Sequence, residues 1–438
     1  MFTEQRINAS NPQQLVDFTQ VKAVSPIHRL FQHGHLEEEL SALFKEAFNM
    51  DLIVNRRAGS NIALHVGTRP IIHPSDKYLT QYHEAVRQLP LLTTQGDGMR
   101  SFVSILLELM TGSATVFLLD EPEAFLHPPQ IKLLASYIVT RFKNIQLVVA
   151  THSADFIKGL LENDANRVNI LNIQRDGDQN HAAVINNDDI KAIWKDPFLK
   201  YSSIFEGLFH DKVIVCEADG DCRFFSALLE QHYQGHPDYH KIPDTLFIPS
   251  YGKAKIPDIV ASLRSISVNT VTVCDFDIFN NDEPLKKLVE AHGGNWSNVE
   301  PHWKVFYSTV NREKAQLDRE EVKQKLAEIL DRSDAKSLNH KEIDQLKSTL
   351  KASTAWSYAK RQGIDFLPSG DARVACEAVL TYLSSIGIFP LRVGELESFD
   401  KTVGNGNKAR WLEEVLKKDL ATGFADAKAF LASVLRYQ

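Results

Sequence analysis

Acidic residues directly follow a short apolar run in two stretches of this chain, Val213-Ile-Val-Cys-Glu-Ala-Asp-Gly-Asp221 and Val271-Thr-Val-Cys-Asp-Phe-Asp277. Runs rich in Val, Ile and Cys are typical of parallel strands that are buried on both faces. The carboxyl ends of neighbouring parallel strands meet in one crevice, so we expect these acidic side chains to converge. Converging carboxylates repel one another unless a divalent cation lies between them. The predicted metal ligands are Glu217, Asp221, Asp275 and Asp277.

This arrangement predicts chemistry that depends on Mg²⁺ or Mn²⁺, with a phosphodiester as the expected substrate. Two metal ions roughly 4 Å apart can hold a scissile phosphate, one activating water and the other stabilising the leaving oxygen. The alternative is that an Asp-x-Asp pair after a strand is only a polar loop. Lys253 and Lys408 are candidates for stabilising the developing charge, with ordinary surface lysines as the simpler interpretation.

Length and composition indicate a multidomain protein of the reducing cytoplasm. With 438 residues the chain exceeds one ordinary core, so two or three domains are expected. No stretch approaches the roughly 20 apolar residues that span a bilayer, so no membrane partner is expected. The four cysteines include no C-x-x-C pair, which argues against a zinc site or a disulfide framework. The net charge of −7 disfavours an extended basic surface but leaves room for a local basic groove.

Alternating strand and helix patterns predict an α/β fold with two domains, residues 1–200 and 205–438. In the second domain, strands are predicted at Lys212–Cys216, Thr245–Pro249 and Thr270–Cys274. Residues from about 309 to 362 are rich in Lys and Glu and contain no buried-strand run. They are therefore predicted to form a helical insertion.

The first domain carries a possible nucleotide site. The apolar strand at residues 114–119 is followed by Asp120 and Glu121. In nucleotide-hydrolysing sheets, an Asp at this place holds Mg²⁺ through water, and the next Glu orients the attacking water. A second strand, Gln146–Ala150, precedes a histidine that could sense the γ-phosphate, and a glycine-rich turn at 95–100 opens a helix suited to phosphate. The predicted nucleotide-binding residues are Gly96, Gly98, Asp120, Glu121 and His152.

The order of these motifs resembles ABC-type ATPases, with a signature turn, a Walker B strand and a switch histidine. The flank Glu121-Pro-Glu-Ala-Phe-Leu-His-Pro-Pro129 is similar to RecF-like proteins and to the OLD (overcoming lysogenisation defect) family. Gly96 stands where the transporter signature has Ser, and the chain contains no G-x-x-x-x-G-K-[ST] phosphate loop. Either an N-terminal ATPase segment is missing or this half is degenerate. The presence of Glu121 and His152 favours the first, and use of ATP by this chain stays open.

The acidic pattern of the second domain resembles a TOPRIM domain, the module shared by topoisomerases, primases and OLD nucleases. Glu217 matches the family's Glu after its first strand, and Asp275-Phe-Asp277 matches its Asp-x-Asp. Ala218 stands where the family usually has Gly, and Ser250-Tyr-Gly-Lys253 is similar to the family's glycine motif. The OLD resemblance further implies that Arg392-Val-Gly-Glu-Leu-Glu397 returns Glu397 to the metal site, with Glu395 as the reserve.

An ATPase half followed by a TOPRIM half, from about residue 91 to 397, is similar to OLD-family ATP-dependent endonucleases. The resemblance implies cleavage or nicking of DNA, homo-oligomers, a possible second protein and a role in defence against phage. A topoisomerase would need a separate strand-passage domain, and a primase would usually add a zinc module. A non-catalytic DNA sensor or partner-binding protein remains the alternative. Lys351, Lys360 and Arg361, with aromatic residues between them, are candidates for contacting a DNA backbone.

Overall fold

The structure, a computed structural model, divides into two compact units, Met1–Asn169 and Ile170–Gln438. Both combine helices with sheets, and parallel strand pairing occurs in each, so the predicted α/β fold class is confirmed. Among the described residues no helix is both long and apolar enough to cross a bilayer. The described residues are 7–18, 22–23, 25–57, 59–73, 79–112, 114–233, 242–312, 319–331, 337–351, 355–403 and 408–437.

The first unit contains an antiparallel sheet, a parallel strand pair and the helices that pack on them. Its core is built from the apolar faces of these helices and the inward residues of the strands. Its elements are β1 (Gln13–Gln14), α1 (Pro26–Gln32), α2 (Gly34–Phe48), β2 (Asp51–Asn55), β3 (Asn61–Gly67), α3 (Thr80–Gln88), α4 (Asp97–Thr111), β4 (Val116–Asp120), α5 (Pro128–Arg141), β5 (Gln146–Ala150) and α6 (Ala154–Asp164).

Strands β4 and β5 run parallel, with Asp120 opposite Ala150 at their carboxyl ends. Leu119 and the other inward residues of these strands pack with α4, α5 and α6. The alternate residues Val116 and Leu118 are 51% and 64% exposed, as expected when side chains of a strand point to opposite faces. One face of this pair is therefore covered by helices, while the carboxyl ends of both strands lie side by side.

The second unit begins with a hairpin and continues into an α/β sheet. The predicted boundary at 200–205 falls inside this unit, because helix Asn187–Lys195 contacts helix Ile256–Ser265. Its elements are β6 (Ile170–Asp176), β7 (Gln179–Ile185), α7 (Asn187–Lys195), α8 (Pro197–Lys200), β8 (Lys212–Cys216), α9 (Asp219–Tyr233), β9 (Thr245–Pro249), α10 (Ile256–Ser265), β10 (Thr270–Cys274), α11 (Asp282–Ala291), α12 (Glu300–Arg312), α13 (Arg319–Leu330), α14 (His340–Lys351), α15 (Ala355–Gln362), α16 (Asp371–Ser385), β11 (Ile388–Pro390), α17 (Lys408–Leu416) and α18 (Ala425–Arg436).

The central sheet of this unit has the strand order β11-β10-β8-β9 in the described part of the chain, and all its pairs are parallel. Every residue of β8 and β10 is buried, as the apolar runs of the sequence predicted. The bounds predicted for β8, β9 and β10 are confirmed. From β8 the chain turns one way to β9 and then crosses to β10 on the other side. The β8–β10 boundary is thus a topological switch point, where parallel sheets form binding crevices.

The predicted helical insertion, about 309–362, is helical in its described parts. Helices α13 and α14 pack against each other, and α15 ends the segment. This segment returns the chain to the carboxyl edge of the sheet, because α15 contacts the short helical turn that follows β10.

Two glycines let the end of α15 cross the loop after β11 at very short range. Gly363 has φ +61° and Gly394 has φ +111°, in the region that favours glycine. A Cβ on Gly363 would overlap the carbonyl oxygen of Arg392, and a Cβ on Gly394 would overlap that of Lys360. Ile364 N also donates to Arg392 O at 3.0 Å. This crossing fixes the position of Lys360 relative to the sheet.

We expect Gly363→Ala to destabilise the second unit by about 2–3 kcal/mol, because it adds backbone strain and overlap with a carbonyl. The matched control is Gly177→Ala in the β6–β7 turn, where φ is +57° and no atom lies within 4 Å of the new Cβ. Strain alone should cost about 1 kcal/mol there. Urea unfolding of both variants measures the difference, and equal losses would contradict a tight crossing.

Candidate active site

Three carboxylates meet at the switch point of the central sheet. Glu217 directly follows β8, and Asp275 and Asp277 follow β10. One carboxylate oxygen from each lies within 4.8 Å of the others, and the described residues contain no second grouping of this kind. The pairing of Val273 with Cys216 produces this convergence, because it aligns the carboxyl ends of the two strands.

The loop after β11 holds the backbone on both sides of Asp275. Leu391 N donates to Cys274 O at 2.8 Å, and Phe276 N donates to Gly394 O at 2.7 Å. The ring of Phe276 is fully buried, and the side chain of Asp275 is only 3% exposed. The Asp-Phe-Asp sequence therefore places its aromatic ring in the core and supplies both carboxylates to the crevice.

Asp221 lies beside this group but outside it. Its Oδ2 accepts a hydrogen bond from Ala218 N at 2.9 Å, which caps the first turn of α9. Burial, followed by the charge of Asp275, raises the pKa of Asp221 to about 7. The structure thus gives Asp221 a local capping contact, and its role as a metal ligand stays a prediction.

Glu397 reaches the same region from the far end of the chain. Its side chain is 3% exposed, and Lys408 Nζ lies 3.6 Å from its Oε1 and 3.7 Å from Asp275 Oδ2. The reserve residue Glu395 is also buried, and burial together with the charge of Glu397 raises its pKa. Glu397 is therefore linked to Asp275 through a lysine, outside the group of three.

The segment after β9 contributes a second lysine. Gly252 N donates to Glu217 O at 3.0 Å, and Ser250 Oγ donates to the same oxygen at 3.2 Å. These bonds hold the segment at the crevice, where Lys253 Nζ lies 3.0 Å from Asp277 Oδ2. Lys253 is thus a partner of the carboxylates.

Lys360 makes the shortest lysine contact to the group. Its Nζ lies 2.7 Å from Asp275 Oδ2 and 3.5 Å from Asp277 Oδ1. Burial alone would lower the pKa of Lys360, but the charges of Asp275 and Asp277 outweigh burial and raise it. From sequence we expected Lys360 among residues that contact DNA, and nothing in the sequence links it to the carboxylates.

The carboxylates of the crevice retain buried oxygens that suit a divalent cation. Glu217 Oε2 and Glu397 Oε2 have no hydrogen-bond partner among the described residues. Burial, followed by the charge of Asp275, raises the pKa of Glu217. A buried carboxylate oxygen without a partner is costly, and a hard cation with oxygen ligands removes that cost. The residues present therefore fit Mg²⁺ or Mn²⁺.

In the first unit, the loops after β4 and β5 are tied together. Glu121 N donates to Ala150 O at 2.8 Å, and Glu121 has φ +44°. Glu123 Oε1 accepts from Thr151 Oγ1 and from His152 N, both at 2.8 Å. Glu123 therefore positions the loop that carries His152, a contact that the sequence analysis missed.

The glycine turn opens α4 beside the loop after β4. Gly96 is the N-cap residue of α4, and a Cβ added to it would meet no neighbouring atom within 4 Å. A Cβ on Gly98, in contrast, would overlap the carbonyl oxygen of Phe125. Gly98 is thus required for close packing of the helix on that loop. Together with Asp120 at the end of β4, these residues stay a predicted nucleotide site.

Comparison with known proteins supports an ATPase-type domain in the first unit. A family model described as "AAA domain, putative AbiEii toxin, Type IV TA system" matches residues 27–157. No curated protein matches the chain. A solved structure from "Structural biochemistry of ATP-driven dimerization and DNA stimulated activation of SMC ATPases" is 13% identical, covering 38% of this chain and 92% of that chain, with a TM-score of 0.27. A TM-score this low does not establish a shared fold.

We expect Asp221→Asn to flatten the dependence of stability on pH in metal-free protein. The pKa of Asp221 is about 7 in the folded state, against about 3.9 for an unfolded Asp. Between these pH values the folded chain binds more protons than the unfolded chain. The contribution of Asp221 to the free energy of unfolding is therefore complete below about pH 4 and is lost towards pH 7. Asparagine does not titrate and can still accept from Ala218 N.

Urea midpoints at pH 5 and pH 7.5 in the presence of a chelator measure this effect. Asp219→Asn, which changes an exposed carboxylate in the same turn, is the control. If the Asp221→Asn midpoint falls with pH as steeply as that of wild type, the interpretation is wrong.

Proposed function

We propose that the second unit is a metal-dependent DNA endonuclease of the TOPRIM type, as in OLD-family nucleases. The observation that carries this proposal is the approach of the Glu217, Asp275 and Asp277 oxygens to within 4.8 Å at the carboxyl edge of a parallel sheet. These residues would hold a divalent ion. Asp221 and Glu397 are the proposed ligands of a second ion.

Such ions, when bound, lower the pKa of water and stabilise the leaving oxygen of a phosphodiester. The negatively charged DNA backbone must then approach a crevice that is lined by carboxylates. The three lysines around the carboxylates make this possible, because they offset charge that would repel the phosphate. Lys408 is suited to meet DNA, since its side chain is 58% exposed while it remains within 4 Å of Asp275 and Glu397.

Lys360 has a different proposed role. Its side chain is 23% exposed, and its Nζ contacts two of the three proposed ligands. In that position it neutralises the carboxylates before a cation arrives and can donate to a phosphate oxygen afterwards. We therefore propose Lys360 as a residue of the active site, held there by the glycine crossing.

We propose that the first unit, which contains no G-x-x-x-x-G-K-[ST] phosphate loop, contacts ATP through Asp120, Glu121 and His152 and regulates cleavage. The match of residues 27–157 to an AAA-type family supports the ATPase assignment. The words "putative AbiEii toxin, Type IV TA system" in that family's description support the proposal of a role in defence against phage. A homo-oligomer, a second defence protein and a cytoplasmic location belong to the same proposal.

Replacing the proposed ligands should abolish cleavage. We expect Glu217→Gln and Asp275→Asn to lower Mn²⁺- or Mg²⁺-dependent nicking of plasmid DNA by about a hundredfold or more, because each removes a charged metal ligand and preserves side-chain size. Asp282→Asn is the matched control, since this exposed residue opens α11 outside the crevice. Equal cleavage by wild type and all three variants, or no cleavage by any of the four proteins, would refute the nuclease assignment.

Removing Lys360 should separate metal binding from cleavage. We expect Lys360→Ala to bind Mn²⁺ about tenfold more tightly by calorimetry, because the cation no longer competes with an ammonium for Asp275. Cleavage should nevertheless fall, since a donor to the phosphate is lost. Lys255→Ala removes a surface lysine that pairs with Asp258 and should change neither quantity. Weaker Mn²⁺ binding in Lys360→Ala would show that this lysine only supports the local structure.

A further inference from the structure

A cavity of about 420 Å³ lies beside β11, the edge strand of the central sheet. Its walls come from β11, the second half of α16 and the end of α18. The cavity has the size of a small-molecule site, where values from about 300 Å³ upwards are usual. It is separate from the carboxylate crevice. The lining residues relevant to binding are Thr381, Ser384, Arg392, Phe430, Arg436 and Tyr437.

Two guanidinium groups line the cavity, and none of its described lining residues is acidic. Arg392 uses Nη2 to contact both oxygens of Glu377, each at 2.5 Å. A guanidinium has five N–H donors, so the other nitrogens of Arg392 can serve a ligand. Arg436 is exposed and pairs with no described carboxylate. A phosphate between these arginines would receive forked hydrogen bonds of the kind that arginine supplies best.

Aromatic rings form the apolar part of the same cavity. Phe389 meets Phe430 edge-on with centroids 6.4 Å apart, and it meets Tyr437 similarly at 6.2 Å. Phe389, Phe430 and Tyr437 all line the cavity, so their rings offer apolar contacts to a flat heteroaromatic ring. Ser384 and Ser433 also line the cavity, and their hydroxyl oxygens can accept a hydrogen bond while they donate to Thr381 O and Phe430 O.

We propose that this cavity binds a small phosphorylated heteroaromatic compound of mononucleotide size. The arginines bind its phosphate and the rings of the cavity bind its base. The ligand acts on the carboxylate crevice, because Arg392 lies between the two backbone hydrogen bonds by which the loop after β11 holds Asp275. This coupling rests on the proposed metal site, whereas binding itself does not.

Calorimetry of the full chain with adenosine 5′-monophosphate tests binding. We expect Arg436→Ala and the cavity-filling Ser433→Trp each to weaken binding by about tenfold or more. Lys428→Ala removes a charge from the same helix outside the cavity and should bind like wild type. Adenosine and inorganic phosphate should each bind more weakly than the nucleotide.

Several outcomes would overturn the proposal. They are no binding to wild type, binding that the two cavity variants leave unchanged (as for a nucleotide held by the first unit), and phosphate binding as tight as that of the nucleotide. The coupling has its own test, the Mn²⁺ affinity of wild type with and without saturating nucleotide. We expect the affinity to change in wild type and not in Ser433→Trp. An unchanged affinity in wild type would refute the coupling and leave the binding result standing.

Discussion

The parallel pairing of β8 with β10 is the constraint on which the second unit depends. It brings Glu217 and Asp275 together at the carboxyl ends of two fully buried strands. The direction in which successive strands are added to the sheet changes between these two strands. Burial and mutual repulsion both disfavour charge there, and both act to raise the pKa of Glu217. A fold that accepts this repulsion must offset it with cations. Lysines supply positive charge beside the carboxylates in the structure. The unpartnered Oε2 of Glu217 also suits a divalent ion.

The offsetting charges come from widely separated parts of the chain. Lys253 follows β9, Lys360 ends the helical insertion, and Lys408 begins α17. Lys253 and Lys360 are placed by backbone contacts of their own segments, most tightly at the crossing of Gly363 over the loop after β11. The helical insertion therefore contributes one half-buried ammonium group, that of Lys360, to the crevice. The same loop borders the cavity at β11, so one backbone segment connects both places.

The first unit is organised by a similar principle on a smaller scale. Two parallel strands end side by side, and Glu123 ties the following loops together through Thr151 and His152. Here a single carboxylate satisfies backbone and side-chain donors and orients the loop, whereas in the second unit the oxygens of three carboxylates lie within 4.8 Å of one another. This contrast is why the proposed chemistry is assigned to the second unit and regulation to the first.

The sequence by itself determined the α/β class, the strands β8 to β10 and the carboxylates at their ends. These are local features, since a buried run and the residue after it are adjacent in the chain. Only the tertiary structure decided that Lys360 joins the carboxylates, that Asp221 caps a helix and that Glu397 is linked to Asp275 through Lys408. It also placed the division of the chain after residue 169. Each of these depends on contacts between distant segments, which side-chain periodicity along the chain does not encode.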